Sequence, residues 1–232
     1  MVKSLIYYTT NLIEEPIYST VQKTISDSGL PIVSVSHEPI KFGENIVVNF
    51  KPCYISMIKQ IILGLSISQG KYVFFCEHDV LYPKSHFDFT PPRDDIYYYN
   101  ENVLRWDYPK DRLIGYDRLI SLSGLCANRE LLLRHYLLRL QKIRDMEWVE
   151  DSHEPSWLRK MGYEPGTKKI KRGGISDEDY GLFKSDKPII DIRHRNTFSP
   201  PKVTLDGFKH LPNNFREYTI KESGWDLWNL AS

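Results

Sequence analysis

Residues 71–83, KYVFFCEHDVLYP, decide the fold that this sequence predicts. The apolar run at 72–76 is short and continuous, which is typical of a strand buried on both faces of a parallel sheet. It ends abruptly in Glu77, His78 and Asp79, and such groups are costly there unless they meet water, a metal or a ligand. Open α/β sheets bind ligands at the carboxyl ends of their strands, so a site is predicted here. Its oxygen and imidazole groups suit Mg²⁺ or Mn²⁺.

The segments before this stretch alternate between strand and helix patterns. Strands are predicted at residues 5–9 and 32–35, with a helix between them that begins near Pro16. A second helix is predicted over residues 54–68, directly before the central strand. This order is the first half of a doubly wound fold, so the predicted class is α/β, with a mostly parallel central sheet flanked by helices.

The second half is less regular. Residues 95–100 and 103–108 look like short strands with exposed faces, forming a hairpin or an edge pair, and residues 119–122 look like another strand. Asn128 is expected to cap a helix over residues 130–145. The apolar side of that helix is predicted to carry Leu133, Leu137, Leu140 and Ile143.

The last third is predicted to be mostly loop, with three short elements. These are a helix around residues 155–161, an acidic helix over residues 177–184 and a final buried strand at residues 189–192. The final strand ends in Arg193, His194, Arg195 and Asn196.

The chain has 232 residues, which fits one large domain. We predict a domain over residues 1–198 and an irregular extension over residues 199–232 that packs on it, since no linker composition separates them. The 31 basic and 30 acidic residues nearly cancel, so the overall charge does not indicate a nucleic-acid or membrane partner.

The composition also predicts a compartment. Three cysteines without a CxxC pair indicate reduced thiols. No leader pattern precedes the first strand, and no apolar run approaches the roughly 20 residues of a membrane span. We expect a protein of the bacterial or phage-infected host cytoplasm, of unknown oligomeric state.

Three segments together resemble the GT-A type of nucleotide-sugar glycosyltransferase, and the overall match is closest to small phage and bacterial proteins. GLSISQGKYVFFCEHDVLYP is similar to the helix, strand and DxD-type acidic motif of that fold. SLSGLCANRELL resembles the turn and helix beside the acceptor site, and PIIDIRHRN resembles the late strand whose histidine completes the metal shell. The DxD motif reads Glu77-His78-Asp79 here, so the last aspartate is retained and the role of His78 is open.

The resemblance implies a donor and metal site. Asp79 and His194 would hold Mn²⁺ or Mg²⁺, which bridges the two phosphates of a nucleotide-diphosphate sugar. Alternatively, Asp79 caps a turn and His194 is structural. The fold places the base and ribose of the donor near the ends of the first strands, with Glu77 within reach of ribose or metal. The predicted donor-binding residues there are Thr9, Asn11, His37 and Glu38.

Inversion at the anomeric carbon requires a general base that takes the proton of the acceptor hydroxyl. Asp179 is the predicted base, with Glu164 in the turn GYEPG and Glu178 as alternatives. Acidic residues at a helix start are also common partners of the helix dipole, so a structural role for Glu178 and Asp179 stays open. Asp151 and Glu154 are more remote candidates.

The sequence leaves the acceptor open. It is a saccharide or another hydroxyl compound, or a hydroxymethylated base in DNA, as the phage-like resemblance suggests. Basic residues that favour DNA are Arg93, Arg105, Arg112 and Arg118. The basic run KKIKR at 168–172 is typical of a solvated loop, and could also hold the donor diphosphate as a flexible lid or contact nucleic-acid phosphates. Residues 97–99 (YYY) and Trp106 could stack on an exposed base or a sugar, or belong to the core. A third alternative is a GT-A-like domain that binds a nucleotide or sugar without turnover.

Overall fold

The computed structural model describes residues 2–146, 164–167, 179–197, 202–208 and 210–231. These residues form two sheets flanked by three long helices and several short helical turns. The helices are α1 (Ile17–Ser26), α2 (Tyr54–Ile67) and α3 (Arg129–Asp145).

The first sheet has seven strands and holds the predicted central strand in its middle. Its members in chain order are β1 (Lys3–Tyr8), β2 (Ile32–Ser36), β3 (Glu44–Val47), β4 (Tyr72–Glu77), β6 (Tyr97–Asn100), β9 (Leu125–Asn128) and β10 (Tyr180–Phe183). Their spatial order is β10-β6-β9-β4-β1-β2-β3. β1 pairs in parallel with both β2 and β4, and only β9 runs antiparallel to its neighbours. The predicted α/β class with a mostly parallel central sheet is therefore confirmed.

The second sheet has five strands and covers one face of the first. Its members are β5 (Val80–Leu81), β7 (Val103–Trp106), β8 (Leu113–Gly115), β11 (Ile189–Ile192) and β12 (Arg216–Tyr218), in the order β12-β8-β7-β11-β5. The short strand β5 follows the central strand by two residues and pairs antiparallel with β11. This pairing joins the two sheets directly beside the predicted site.

Alternate residues of the central strand enter two separate apolar cores, as expected for a strand buried on both faces. Phe74 packs with the second sheet and with the buried stripe of α1. Phe75 packs with α2 and α3 on the other face. The stripe on α1, which is Ile17, Val21 and Ile25, is buried as predicted.

Several predictions for the second half were wrong. β6 and β7 are buried and lie in different sheets, so they form neither a hairpin nor an exposed edge pair. Residues 119–122 form no strand; a short 3₁₀ turn, Leu122–Gly124, leads into β9. The helix expected at 177–184 is replaced over its described part by strand β10, which pairs with β6. The helix expected at 155–161 lies outside the described residues.

Helix α3 begins where predicted and buries the predicted side only in part, with Ile143 buried and Leu133 and Leu140 partly buried. Asn128 caps it by accepting hydrogen bonds from the backbone N–H groups of Glu130 and Leu131. Leu137 is 48% exposed, whereas His135 and Arg139 are buried. Arg139 donates to the Tyr54 hydroxyl at 2.9 Å and is 2.9 Å from His135 Nε2. The buried side of α3 thus includes a polar contact with α2 that the apolar periodicity did not indicate.

The described part of the extension packs on the second sheet. β12 pairs with β8, and Ile220 and Leu227 are buried in the same core as Trp106. The division into residues 1–198 and 199–232 stays a prediction. All three cysteines are free thiols, and Cys76 and Cys126 are buried. Among the described residues, no helix combines the length and the apolar character that crossing a membrane requires.

Candidate active site

The pairing of the two sheets brings Asp79 and His194 together. Asp79 follows the end of β4, and its carbonyl accepts a hydrogen bond from Ile192 N–H at 2.9 Å. This contact continues the ladder between β5 and β11 and places His194, two residues further on, beside Asp79. The Asp79 Oδ2 and His194 Nε2 atoms are 3.6 Å apart, and the two side chains are 13% and 8% exposed.

A cavity of about 320 Å³ opens at the carboxyl edge of the central sheet, where such folds bind ligands. The cavity is lined by the ends of β1 and β4 and by the amino end of α2. Residues of β7, of β11 and of the segment before β9 also line the cavity. Residues lining the cavity include Thr9, Ser56, Gln60, Glu77, His78, Asp79, Ser121 and Glu164. His194 lines a neighbouring cavity of about 300 Å³ that shares Asn196 with the first.

The two carboxylates of the EHD motif have different environments. Glu77 Oε1 accepts a hydrogen bond from the Tyr8 hydroxyl at 2.9 Å. Burial raises the pKa of Glu77 to about 8, and the negative charges of Asp79 and Asp191 act in the same direction. Burial also acts to raise the pKa of Asp79, but the neighbouring His194, His78 and Arg193 outweigh it and lower that pKa. Asp79 is therefore the carboxylate that stays ionised.

A charged cluster forms the wall that belongs to the second sheet. Asp191 on β11 is in register with Arg105 on the parallel strand β7, so both side chains lie on one face. Asp191 Oδ2 accepts hydrogen bonds from Arg193 Nη2 at 2.6 Å and from Arg105 Nε at 3.4 Å. Two guanidinium groups share one carboxylate, so the cluster presents a net positive charge to the cavity.

The structure brings only some of the predicted donor-binding residues to the cavity. Thr9, Glu77 and Asp79 line it, whereas Asn11, His37 and Glu38 do not. The Asn11 side chain accepts hydrogen bonds from the backbone N–H groups of His37 and Glu38, at 2.9 and 3.1 Å. The side-chain oxygen of Asn11 thus links the loop after β1 to the loop after β2.

The structure also brings only some of the candidate bases to the cavity. Glu164 lines the cavity. Asp179 directly precedes β10, which runs in the same direction as the central strand, so it lies at the opposite edge of the sheet from Asp79. It is exposed there, close to Arg93. The candidates Glu178, Asp151 and Glu154, and the basic run at 168–172, lie outside the described residues.

The aromatic residues considered for base stacking belong to the core. Tyr97, Tyr99 and Trp106 have no exposed surface, and Tyr98 is only 6% exposed. The basic residues considered for DNA are partly paired, since Arg93 contacts Asp95 and Arg112 contacts Asp107. Stacking of these aromatic rings on a flipped base is therefore excluded without unfolding the sheets.

Sequence reasoning missed three residues that shape the cavity. Gln60, on the buried face of α2, donates hydrogen bonds to the Thr9 and Val35 carbonyls at 3.0 and 3.2 Å. Its position in the middle of an otherwise apolar helix face was a usable signal. The positions of Asp191 and Arg193 at the cavity depend on the pairing of β11. Their place at the end of the last predicted strand was the only sequence signal for them.

The residues present fit a divalent metal ion. His78, Asp79 and His194 each offer one ligand atom, and these atoms lie within 4.8 Å of one another. His194 Nε2 is buried and has no hydrogen-bond partner among the described residues, and the Asp79 carboxylate oxygen lies 3.6 Å from it. One carboxylate with imidazole nitrogen suits Mn²⁺ better than Mg²⁺.

Comparisons of the sequence with known proteins give no family. No protein-family model matches the chain, and no curated protein matches it either.

The fold is similar to several solved structures, at low identity. S. aureus TarS (residues 1–349) is 12% identical with a TM-score of 0.47, over 83% of this chain and 60% of that one. A glycosyltransferase involved in glycosylation of the major capsid of PBCV-1 is 9% identical with a TM-score of 0.41, over 79% and 82%. The glycosyltransferase GlyE of Streptococcus pneumoniae TIGR4 is 12% identical with a TM-score of 0.39, over 67% and 41%. The chain thus spans about three fifths of the TarS fragment, and the likeness by itself assigns no activity.

Proposed function

We propose that this protein is a metal-dependent GT-A-type glycosyltransferase that moves a sugar from a nucleotide-diphosphate sugar to an acceptor hydroxyl. The observation that carries the proposal is the meeting of Asp79 and His194, 3.6 Å apart, beside a cavity at the carboxyl edge of a parallel sheet. Two guanidinium groups on the facing wall complete a site for a diphosphate. The resemblance of three sequence segments to the GT-A type supports the same chemistry.

The donor would lie across the ends of β1 and β4. The amino end of α2 would provide polar groups for the nucleoside, and Glu77 would face the ribose. Arg105 and Arg193 would neutralise phosphate charge, and Asp191 holds both of them in position. Asp79 and His194 would hold the metal, which offsets the charge that develops on the departing nucleoside diphosphate.

Glu164 is the residue that we assign as general base. It lines the same cavity as Asp79. The acceptor oxygen forms a bond to the anomeric carbon while the bond from that carbon to the phosphate oxygen breaks. The acceptor proton passes to the Glu164 carboxylate, and the electron pair leaves with the nucleoside diphosphate. A base in this role contributes about 10²–10⁴-fold to the rate.

The Glu164→Gln variant tests this assignment. Nucleoside diphosphate release from UDP-, GDP- and dTDP-sugars is measured with Mn²⁺, first without acceptor and then with saccharides or hydroxymethylated DNA. UDP-sugars come first because one structure of the similar TarS fragment contains UDP. We expect Glu164→Gln to lower turnover by roughly 10²–10⁴-fold and to leave donor binding unchanged. The control is Glu217→Gln, which changes an exposed carboxylate on β12 and should have no effect.

Two outcomes would contradict the proposal. Full turnover by Glu164→Gln would remove Glu164 from the mechanism and return the search to the other carboxylates. Metal-dependent donor binding without turnover of any donor, in the wild-type protein, would support a binding domain instead of an enzyme.

A further inference from the structure

His78, between the two carboxylates of the EHD motif, has a defined place in the site. It is half-buried and lines the cavity. Its Nδ1 atom lies 2.7 Å from the Thr9 hydroxyl, which also accepts a hydrogen bond from Asn11 N–H at 2.9 Å. Thr9 is only 2% exposed. The imidazole ring is therefore held on one side by a buried hydroxyl that is itself anchored.

The tautomer of His78 sets the direction of its hydrogen bond with Thr9, because an unprotonated Nδ1 accepts from the Thr9 hydroxyl and a protonated Nδ1 donates to the Thr9 oxygen. When Nδ1 carries the proton, it donates to the Thr9 oxygen and leaves the Nε2 lone pair available. A histidine that binds a metal ion almost always donates its second N–H in this way, which fixes both the tautomer and the ring orientation. Thr9 thus provides the support expected behind a histidine ligand.

His78 is also close enough to the other two candidate ligands. One ligand atom from each of His78, Asp79 and His194 lies within 4.8 Å of the others. Atoms that share one ion through bonds of about 2.1 Å are roughly 3–4 Å apart, so small side-chain rotations close the set. Glu77 is directed elsewhere, because its carboxylate accepts the Tyr8 hydroxyl at 2.9 Å.

We infer that His78 is a third protein ligand of the metal and that Thr9 is its positioning residue. The site then has two imidazoles and one carboxylate, where the DxD pattern offers mainly oxygen. The inference rests on the metal site of the proposed function but not on sugar transfer. Imidazole nitrogen favours transition-metal ions, whereas Mg²⁺ prefers water and carboxylates. The consequence is selectivity for Mn²⁺ and Co²⁺ over Mg²⁺.

The experiment counts nitrogen ligands on bound Mn²⁺ and measures metal affinity without any nucleotide. Chelator-treated protein is titrated calorimetrically with MgCl₂, MnCl₂ and CoCl₂, and the Mn²⁺ complex is examined by electron spin echo envelope modulation. We expect two ¹⁴N couplings in the wild-type protein and one in either His78→Gln or His194→Gln. Affinity for Mn²⁺ should fall at least about tenfold in His78→Gln, and the preference for Co²⁺ over Mg²⁺ should shrink with it.

Two further variants separate ligation from packing. Thr9→Val removes the hydroxyl at nearly constant volume; it should keep the ¹⁴N coupling of His78 but weaken Mn²⁺ binding by about tenfold. His210→Gln changes an exposed histidine in the extension and should match the wild-type protein in every readout. Thermal unfolding of each metal-free variant shows that it is folded.

The outcomes distinguish this inference from the proposed function. A single ¹⁴N coupling in the wild-type protein, with unchanged Mn²⁺ affinity in His78→Gln, would overturn the role of His78 and leave Asp79 and His194 as the ligands. No Mn²⁺ binding by the wild-type protein would overturn the metal site itself, and with it the metal dependence of the proposed transfer.

Discussion

At the scale of single residues, the sequence indicated Asp79 and His194 at the centre of the candidate site but not the residues that form its charged wall. Asp79 could be predicted because an apolar strand that ends in charged groups is costly without a ligand or solvent. Arg193 and Asp191 lie at the cavity because β11 pairs with β7 and β5, and these strands are far from β11 in the sequence. Local sequence also could not show that the Asn11 side chain would bind two backbone N–H groups rather than face the cavity.

His86 gives a prediction for stability that concerns one buried residue away from the site. Its ring packs among Phe74, Phe87 and Phe183, and its Nδ1 accepts a hydrogen bond from Asn100 at 3.1 Å. Burial lowers the pKa of His86 to about 3. The unfolded chain, with an ordinary histidine pKa near 6.5, takes up a proton between these values while the folded protein does not. The contribution of His86 to stability is therefore complete above about pH 6.5 and is lost as the pH falls toward 3.

The His86→Phe variant makes this contribution measurable. Urea unfolding is followed at pH 7, 5.5 and 4. Between pH 7 and 4 the wild-type protein should lose roughly 3 kcal/mol more unfolding free energy than His86→Phe, because phenylalanine does not titrate. The exposed His210→Gln variant should keep the wild-type slope. Equal slopes for the wild-type protein and His86→Phe would show that His86 is not held neutral by the fold.

At the scale of elements, periodicity was sufficient wherever a helix or strand buries a simple apolar pattern. This holds for β1, α1, β2, α2 and β4. It failed in part for α3: Ile143 is buried as predicted, but the buried side also includes His135 and Arg139, whose side chains are satisfied by hydrogen bonds. It also failed for β6 and β7, since alternation cannot tell which of two sheets a strand will join. β10 was predicted as helix because its register with β6 is not encoded locally.

The turn between α2 and β4 provides a test of element packing at Gly70. A Cβ atom at Gly70 would lie 2.7 Å from Ser4 N and 2.9 Å from the carbonyl carbon of Lys3, so the first strand would have to move. We expect Gly70→Ala to lower the unfolding free energy by roughly 2–3 kcal/mol. Urea unfolding at pH 7 measures this change.

Gly29→Ala is the matched control for that substitution. Gly29 has a φ of 69° and no atom within 4 Å of an added Cβ, so only backbone strain of about 1 kcal/mol is expected. If Gly29→Ala destabilised the protein as much as Gly70→Ala, close packing of the turn against β1 would not be the reason for glycine at position 70.

At the scale of the whole molecule, the site exists because two sheets meet at it. The central sheet supplies the EHD motif, and the second sheet supplies His194 and the charged wall. The extension completes the second sheet through β12 and buries Ile220 and Leu227 against it. The sequence indicated the first sheet and the irregular extension. It did not indicate a second sheet, because β5, β8 and β12 are two to three residues long and have no periodic signal.

The proposed function requires that Asp79 and His194 hold a divalent metal that is needed for nucleotide binding. The most direct measurement is thermal unfolding with UDP, with Mn²⁺, and with both, for the wild-type protein, Asp79→Ala and His194→Ala. A ligand that binds only the folded state raises the melting temperature by mass action. Asp206→Ala, which removes an exposed carboxylate in the extension, is the control.

We expect UDP and Mn²⁺ together to raise the melting temperature by more than the sum of their separate effects. That extra rise should vanish in Asp79→Ala and His194→Ala and persist in Asp206→Ala. If UDP fails, the same panel is run with GDP, CMP and dTDP. No rise with any nucleotide, or an equal rise in the two site variants, would contradict the claim that this pair forms the metal and donor site.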